Sequence, residues 1–350
     1  MRDDTGDEHT GAARTVPLLP LALAGPHGDV VRRTFDTPDF AGITFYEIQA
    51  KSIINKVSSM SRVPFTFTIN PYRGCTHACV YCFARNTHTY LDLDAGHDFD
   101  SQIVVKVNAG ELLRKELAAP RWSGDPIAMG TNVDVYQRAE GRYRLMPQII
   151  SALRDFANPF SILTKGTLIV RDLPLLREAA SVTDVSLAFS VGCVDETMWR
   201  SVEPGTPSPR RRLDAVRTLT DAGFDVSVLM APILPGLTDS DESIDATVAA
   251  IAAAGAVRLV PIPLHLRPGA REWYQAWLAR EHPEAVGRYR ELYGSKSYLP
   301  AAEQRTITAR VRQATRRHGI ALGADDASDD PTTFRPADSA KPEIHQETLF

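Results

Sequence analysis

Short apolar runs alternate with amphipathic stretches along most of the chain. The runs have the length and β-branched content of buried strands, whereas the stretches between them repeat apolar residues at the helical period. The predicted strands are residues 64–69, 127–130, 160–164, 185–189, 226–231 and 257–261, and the predicted helices are residues 109–117, 146–157, 173–180, 209–222 and 242–254. Six alternations of strand and helix predict parallel units with right-handed crossovers. The predicted fold class is therefore α/β: a partial (β/α)6 TIM-type barrel with an N-terminal lead-in and a C-terminal helical extension.

The same pattern divides the chain into four parts. Residues 1–63 are predicted to form a partly disordered lead-in with one helical piece at 48–57, and residues 64–268 the barrel. Residues 269–323 are predicted to form the helical extension. Residues 324–350 are rich in Asp, Pro and Ser without periodicity, which predicts a disordered acidic tail.

Local signals support the helix boundaries. Asn108 is placed to cap the helix 109–117, and Gly223 and Gly255 stand where two helices should end before strands. In a barrel of this kind, functional side chains are expected at the C-terminal ends of the strands.

Composition and charge narrow the class of protein. The chain has 350 residues, 43% of them hydrophobic, and a net charge of -4, so no global basic field favours nucleic acid. An apolar run at 16–25 contains prolines and follows acidic residues, which argues against an export signal. No apolar stretch approaches the roughly 20 residues needed to cross a membrane. Three of the four cysteines lie within eight residues, and such a thiol cluster indicates a reducing, cytoplasmic location.

The clustered cysteines, Cys75, Cys79 and Cys82, have the spacing C-x3-C-x2-C. Three thiolates on one loop can hold three irons of a [4Fe-4S] cluster, and the fourth iron is then open for another ligand. The alternative is a zinc site with His77 or His88 as the fourth ligand. Zinc sites usually use a second, separated pair of cysteines, and this sequence has none.

With Tyr81 directly before Cys82, the motif resembles that of the radical SAM enzymes. The resemblance implies that S-adenosylmethionine (SAM) binds the open iron, and that the reduced cluster cleaves it to give a 5'-deoxyadenosyl radical. It also implies an electron donor such as flavodoxin or ferredoxin.

Further segments resemble the spore-photolyase-like subgroup of these enzymes. They are residues 70–85 (NPYRGCTHACVYCFAR), 130–140 (GTNVDVYQRAE), 164–165 and 203–212. The resemblance implies that SAM is contacted from the cysteine loop and from successive strand ends, by Tyr81, Gly130, Thr131, Asn132, Lys165 and Ser190. The chain departs from the subgroup at Gly130, where spore photolyases place a hydrogen-donating cysteine. Cys193, just beyond the fourth predicted barrel strand, is a candidate hydrogen donor, although a lone cysteine is more often a small buried apolar residue.

Two features predict partners. Arg305, Arg312 and Arg316 share one face of the helix 301–318, which suits a phosphate backbone. The last five residues resemble the Q-x-x-L-F peptide by which bacterial repair and replication proteins bind the sliding clamp, with Gln346, Leu349 and Phe350 as anchors. No membrane partner is expected.

These observations predict a radical SAM enzyme of the lyase or transferase type that acts in DNA repair or nucleic-acid modification. Two other classes stay open: a radical SAM enzyme acting on a peptide or metabolite, and a zinc-binding protein without enzymatic activity.

Overall fold

The computed structural model describes residues 30–58 and 63–323. The predictions for residues 1–29 and 324–350, including the pentapeptide with Gln346, Leu349 and Phe350, lie outside this part. The strands are β1 (Val31–Arg33), β2 (Thr44–Ile48), β3 (Ile54–Lys56), β4 (Phe67–Ile69), β5 (Tyr72–Arg73), β6 (Gln102–Lys106), β7 (Ile127–Met129), β8 (Phe160–Thr164), β9 (Val185–Ser190), β10 (Val226–Ile233), β11 (Arg258–Pro263) and β12 (Ala321–Leu322). The helices are α1 (His97–Ser101), α2 (Ala109–Leu117), α3 (Arg138–Tyr143), α4 (Leu145–Asp155), α5 (Leu173–Ala180), α6 (Glu196–Val202), α7 (Pro209–Asp221), α8 (Asp241–Ala253), α9 (Ala270–Glu281), α10 (Val286–Tyr293) and α11 (Ala301–His318).

The larger sheet is the barrel wall. Its strand order is β12-β11-β10-β9-β8-β7-β4-β3, and the pairs from β4 through β11 are parallel. Ile69 of β4 lies opposite Met129 of β7, and Met129 in turn lies opposite Ile162 of β8. The short strand β3 joins β4 antiparallel, and β12 extends the other edge. The predicted α/β class with a partial (β/α)6 barrel is confirmed, and the C-terminal ends of its strands meet at one end, called here the mouth.

The core fills the space inside and around this wall. Ile127, Met129, Leu187 and Val228 from the strands are at most 2% exposed. The helices that alternate with the strands close over them with their apolar faces, as Ile149 of α4 does. This packing fixes the strand ends and therefore the loops that begin there.

The described part of the lead-in, residues 30–58, contains strands. A second sheet has the order β1-β2-β6-β5, with β2 and β6 parallel and β5 antiparallel to β6. The helix predicted at 48–57 is wrong, because the chain forms β3 there after an extended connection. The Glu116 carboxylate holds this connection by accepting hydrogen bonds from the amides of Ile53 (2.9 Å) and Ile54 (2.8 Å).

Asn108 also has a different role from the predicted one. Helix α2 has the predicted bounds, but the Asn108 side chain makes no capping hydrogen bond. It accepts a hydrogen bond from the Ala50 amide (2.8 Å) and donates one to the Ala50 carbonyl (3.0 Å). Asn108 therefore ties the lead-in to α2. Gly223 and Gly255 do end helices, with φ angles of 96° and 82°.

The C-terminal extension packs on the barrel. Its aromatic region is divided into α9 and α10 by a 3-10 turn, and Tyr274, Trp277, Tyr289 and Tyr293 are buried there. Helix α11 turns Ile307 and Val311 inward and leaves Arg305, Arg312 and Arg316 exposed, as its period predicted. Within the described ranges, the structure shows no helix with the length and apolar character to span a membrane.

Candidate active site at the mouth of the barrel

The cysteine loop follows β5, which β6 pins to the small sheet. Cys75, the first candidate ligand, is held at the start of the loop because its amide donates a hydrogen bond to the Phe99 carbonyl (2.9 Å). One residue later, the Thr76 amide donates to Oε1 of Gln137 (2.8 Å), whose Nε2 returns a hydrogen bond to the Gly74 carbonyl (3.0 Å). Gln137 is fully buried. One side chain thus clamps the backbone on both sides of Cys75.

The rest of the loop is bound to the segment after α6. The Val80 amide donates to the Val202 carbonyl, and the Gly205 amide donates to the His77 carbonyl, both at 3.0 Å. The approach is so close that a Cβ atom on Gly205 would lie 2.0 Å from the Thr76 carbonyl oxygen. The loop therefore has a defined shape set by backbone hydrogen bonds.

Arg85 supports the loop from behind. Its guanidinium is fully buried and donates to the Cys79 carbonyl from Nε (3.2 Å) and from a terminal nitrogen (3.0 Å). The same group pairs with Asp100 at 2.9 Å and lies 4.8 Å from the ring centroid of Trp273. Helix α9, which carries Trp273, is thereby connected to the cysteine loop.

The three thiols are shielded from water. Cys75 and Cys79 are 6% and 8% exposed, and Cys82 is partly buried. Burial raises the pKa of each thiol, that of Cys79 to about 12, and the nearby Asp134 carboxylate raises the pKa of Cys75 further. Thiolates form in such a place when a positively charged group binds them, since a coordinated thiol is deprotonated outright.

Asp134 connects this loop to the ends of β7 and β8. Its carboxylate accepts hydrogen bonds from the Thr164 hydroxyl and the Lys165 amide, both at 2.6 Å, and lies 3.3 Å from Nδ1 of His77. Burial alone raises the pKa of this carboxyl, but His77 and the hydrogen bonds outweigh burial and lower the pKa to about 2. Asp134 is therefore an anion that orients three segments of the mouth.

A buried ion pair lies on the other side of the loop. Glu203 accepts a short hydrogen bond from the Tyr81 hydroxyl and pairs closely with Arg212. Arg212 also donates to the Ser190 carbonyl (2.8 Å). Burial raises the pKa of Glu203, but Arg212 and Lys165 outweigh it and hold that pKa below its usual value. Tyr81 is in this way tied to the end of β9.

Lys165 and Ser190 flank this arrangement. Nζ of Lys165 lies 5.7 Å from the ring centroid of Tyr81, within the range of a cation–π contact. The Ser190 hydroxyl donates to the Ala231 carbonyl (2.9 Å), which leaves its oxygen lone pairs as acceptors. Asn132 is exposed at the end of β7. The ends of β7, β8 and β9 therefore converge on the cysteine loop.

A small cavity opens beside Tyr81. Its walls come from the cysteine loop, from α6 and from the segments following β9 and β10, and consist of Tyr81, Gly192, Cys193, Trp199, Val202, Glu203, Pro232, Leu234 and Thr238. Cys193 thus lines the same cavity as Tyr81. Burial, followed by the Glu203 carboxylate, raises the pKa of Cys193 to about 12, so this sulfur keeps its proton at neutral pH.

Gly130, at the end of β7, has a backbone that excludes any side chain. Its φ angle is 84°, and a Cβ atom would lie 1.8 Å from the Leu163 carbonyl oxygen. The close approach of two parallel strand ends therefore requires glycine here. A cysteine in this backbone conformation would clash with the Leu163 carbonyl.

Unpaired polar atoms also point to a bound group. Among the described residues, six buried side-chain polar atoms lack a hydrogen-bond partner. Four of them belong to the cysteine loop, its approach or the end of β7: Asn70 Oδ1, Thr76 Oγ1, His77 Nε2 and Thr131 Oγ1. Buried polar atoms are normally satisfied, so this concentration fits a polar ligand at the mouth. Together with three convergent thiols, it fits a metal cluster with a polar cofactor.

Three thiols on one loop are the donor set that a [4Fe-4S] cluster with one open iron requires. Within residues 30–58 and 63–323, no three His, Cys, Asp or Glu side chains are arranged to hold one metal ion. Ligands of a cubane each bind a different iron and need not meet at one point. His88, one candidate zinc ligand, donates from Nε2 to the Gln102 carbonyl (2.9 Å) and packs against Phe99.

The sequence did not identify Gln137, Asp134 or the Glu203–Arg212 pair as parts of the site. Each acts through contacts between segments distant in the chain, which periodicity does not reveal. Residues 203–212 (EPGTPSPRRR) are polar and rich in proline, so composition gives no sign that Glu203 and Arg212 are buried. Glu203 and Arg212 lie in one of the segments that carried the family resemblance.

Comparison with known proteins identifies the family. The family model described as the radical SAM superfamily matches residues 69–248, just over half of the chain. The uncharacterized protein Rv2578c of Mycobacterium tuberculosis is 49% identical over 310 residues, which cover 89% of this chain and 91% of that protein.

Two solved structures share the fold. Spore photoproduct lyase complexed with dinucleoside spore photoproduct has a TM-score of 0.60 and 15% identity, over 79% of this chain and 81% of that one. A mutant of the same lyase with bound AdoMet and dinucleoside spore photoproduct has a TM-score of 0.59 and 14% identity, over 79% and 80% of the two chains.

The geometry at Gly130 predicts the effect of restoring a side chain. Gly130→Cys should lower the free energy of unfolding by roughly 2–4 kcal/mol, because backbone strain adds to a backbone clash. Gly223→Ala is the matched control: Gly223 has a φ angle of 96°, but a Cβ atom there meets nothing within 4 Å. The loss in the free energy of unfolding of Gly223→Ala should then be only the cost of the backbone strain, about 1 kcal/mol. Urea unfolding of both variants measures the difference, and equal losses would show that the Leu163 contact relaxes without cost.

Proposed function

Because this chain belongs to the radical SAM superfamily, we propose that it cleaves SAM reductively at a [4Fe-4S] cluster on Cys75, Cys79 and Cys82 and directs the resulting radical at nucleic acid. The cofactors of the chain are the [4Fe-4S] cluster and SAM. When bound, they supply an electron and a sulfonium, whose cleavage yields a 5'-deoxyadenosyl radical. The observation that carries the proposal is the convergence of Tyr81 and Lys165 on the three thiols of the cysteine loop, two of them buried and one partly buried.

The protein's own residues supply position and charge. Lys165 places an ammonium group beside Tyr81 and suits a carboxylate such as that of the methionyl group. Gly130, Thr131 and Asn132 present backbone and side-chain polar groups from the end of β7. Ser190 offers an acceptor at the end of β9. The Glu203–Arg212 pair holds Tyr81 in place and excludes water from one side of the loop.

The choice of nucleic acid as substrate rests on similarity and on surface charge. The structural neighbour named above is a lyase in complex with a dinucleoside photoproduct. This chain has the same fold, and DNA repair or another modification of nucleic acid is the action we propose. The glycine at position 130 argues against spore photoproduct repair in its known form, because the required thiol is missing there.

We propose Cys193 as the hydrogen donor that replaces this thiol. It lines the cavity beside Tyr81 and stays protonated. Its S–H bond breaks homolytically, the hydrogen atom fills the radical position of the substrate, and a thiyl radical remains. An electron from the external donor and a proton then convert the thiyl radical back to the thiol.

The partners are proposals of the same kind. A flavodoxin or ferredoxin is the electron donor, and the cytoplasm is the compartment where such donors keep the cluster reduced. Arg305, Arg312 and Arg316 contact DNA, and the terminal pentapeptide with Gln346, Leu349 and Phe350 binds the sliding clamp.

Deleting residues 346–350 should abolish binding to purified clamp, and unchanged binding would refute that partner.

Anaerobic reconstitution tests the central proposal. The protein is loaded with iron and sulfide, reduced with dithionite or with reduced flavodoxin, and incubated with SAM. The wild type should gain a brown cluster and form 5'-deoxyadenosine, whereas Cys79→Ala should do neither, because the cubane loses one of its three protein ligands. A colourless protein that binds one zinc and leaves SAM intact would contradict the proposal.

The role of Cys193 has a separate test once a substrate is in hand. Cys193→Ala should sharply lower the ratio of product to 5'-deoxyadenosine, because the substrate radical finds no hydrogen donor. Cys193→Ser is the control for size, since an O–H bond is a much poorer hydrogen-atom donor at nearly the same volume. Full turnover with a normal product distribution in both variants would remove Cys193 from the mechanism.

A further inference from the structure

Two exposed aromatic rings and an arginine lie close together at the surface, one ring from the cysteine loop and the other two side chains from the segment after β11. Phe83 is 45% exposed and Tyr298 is 39% exposed. The Arg267 guanidinium lies 5.4 Å from the ring centroid of Phe83 and donates a hydrogen bond of 3.4 Å to the Tyr298 hydroxyl. We call these three residues the rim. Large apolar rings exposed together call for an explanation by binding.

The rim borders the mouth of the barrel. Phe83 directly follows Cys82 in the cysteine loop, and Arg267 lies four residues beyond the C-terminal end of β11. Both positions belong to the same end of the barrel, since parallel strands end together there. The two segments also touch, because a Cβ atom on Gly269 would lie 3.0 Å from the side chain of Asn86. A ligand on the rim therefore lies next to the cysteine loop.

The rim is held in place before anything binds. Arg271 donates to the Gly294 carbonyl (3.2 Å) and the Leu266 carbonyl (3.2 Å), and the Leu266 amide donates to the Ser297 carbonyl (2.8 Å). These bonds fix the segment that carries Tyr298. The His265 ring packs edge-on against Tyr298 at 4.6 Å. Burial lowers the pKa of His265 to about 4, so this support is neutral at physiological pH.

The rim is also basic. Within the part of the chain that the structure describes, neither Arg267 nor Arg288 has an ion pair with a carboxylate. Arg288 reaches the loop after β10, where its guanidinium would lie 3.5 Å from a Cβ atom on Gly236. The mouth therefore carries unpaired positive charge although the whole chain has a net charge of -4. This combination suits an anionic ligand with flat apolar groups.

We propose that the rim of Phe83, Arg267 and Tyr298 binds a single-stranded or unpaired segment of nucleic acid. Bases stack on the two rings, and a phosphate contacts Arg267 between them. The inference rests on the proposed action on nucleic acid and specifies the form of that substrate. Bases in an intact duplex are stacked on each other and present no free face to such rings.

The rim lies next to the cysteine loop, whereas the exposed arginines of α11 lie away from it. Helix α11 packs over α8 and β11 through Ile307 and Val311. Arg305 and Arg316 therefore face outward on the side wall of the barrel. A strand bound only at that face would not approach the cysteine loop.

Fluorescence anisotropy with a labelled single-stranded oligonucleotide tests the rim without any turnover. Arg267→Gln and Tyr298→Ala should each weaken binding by about tenfold, the order expected for losing one base–aromatic or phosphate contact. Tyr298→Phe should keep the stacking and most of the affinity. For Arg267→Gln, the slope of log K against log salt should fall by about 0.7, the value for one phosphate on a single strand. Phe83 is left intact because it adjoins Cys82.

Matched controls come from the same chain. Phe156→Ala removes a ring that is 41% exposed, at the end of α4 and thus at the opposite end of the barrel, and should leave the affinity unchanged. Arg316→Gln tests whether the outward face of α11 contributes to binding of the oligonucleotide. Iron and sulfide per chain and the thermal unfolding midpoint report whether a variant keeps its cluster and its fold.

Several outcomes would overturn the inference. The rim variants could bind the oligonucleotide as tightly as the wild type does, or a duplex of the same sequence could bind more tightly than the single strand. Binding could also be lost in Arg316→Gln and kept in Arg267→Gln, or an acidic, aromatic peptide that binds more tightly could displace the oligonucleotide. Because binding is measured without SAM cleavage, failure of the radical chemistry and failure of the rim give different results. A protein that cleaves SAM but ignores the oligonucleotide refutes only the rim and the nucleic-acid substrate.

Discussion

The buried pair of Glu203 and Arg212 is the interaction on which the mouth depends most. It ties Tyr81 of the cysteine loop to the Ser190 carbonyl at the end of β9, so it links the metal ligands to the barrel wall. Both residues are at most 4% exposed. Leaving either one alone would bury an uncompensated charge, which costs about 3–5 kcal/mol. A buried ion pair is weak evidence for a stable fold. It does hold its neighbours in one arrangement, and three thiols must be held in one arrangement if they are to bind the same cluster.

The remaining constraints follow from where the loop begins and ends. The small sheet sets its start through β5, Gln137 clamps the backbone around Cys75, and Asp134 joins it to Lys165. These contacts come from elements on three sides, and none of them is an interaction within the loop itself. The loop is short and would be mobile by itself, so its shape is a property of the whole barrel end. Rigid support of this type is what a site needs when the reacting atoms must be held within fractions of an ångström.

The sequence predicted the parts of this molecule that depend on local pattern. Strands β7 to β11 and helices α2, α5, α8 and α11 were visible because each buries one face or both, and the three cysteines were visible because their spacing is specific. The small sheet was not, since β2 pairs with β6 across more than 50 residues and short strands carry little periodicity. Asn108 had the sequence of a cap but found a better partner in Ala50. Glu203 and Arg212 have roles set by a contact that only the tertiary structure creates.

The backbone at Gly130 carries an argument about chemistry. Two parallel strand ends approach so closely that a side chain at this point would enter the Leu163 carbonyl. A thiol at position 130 would therefore strain the backbone and clash with this carbonyl. The cavity beside Tyr81 is bounded by the ends of β9 and β10 instead, and the one thiol in its wall, Cys193, belongs to that side. The proposal that Cys193 donates hydrogen therefore requires a substrate on the β9 side of the mouth. The rim approaches the mouth from the end of β11, which is the side of the barrel nearer to β9 and β10 than to β7. The proposed donor and the proposed binding rim thus lie on the same side of the barrel mouth.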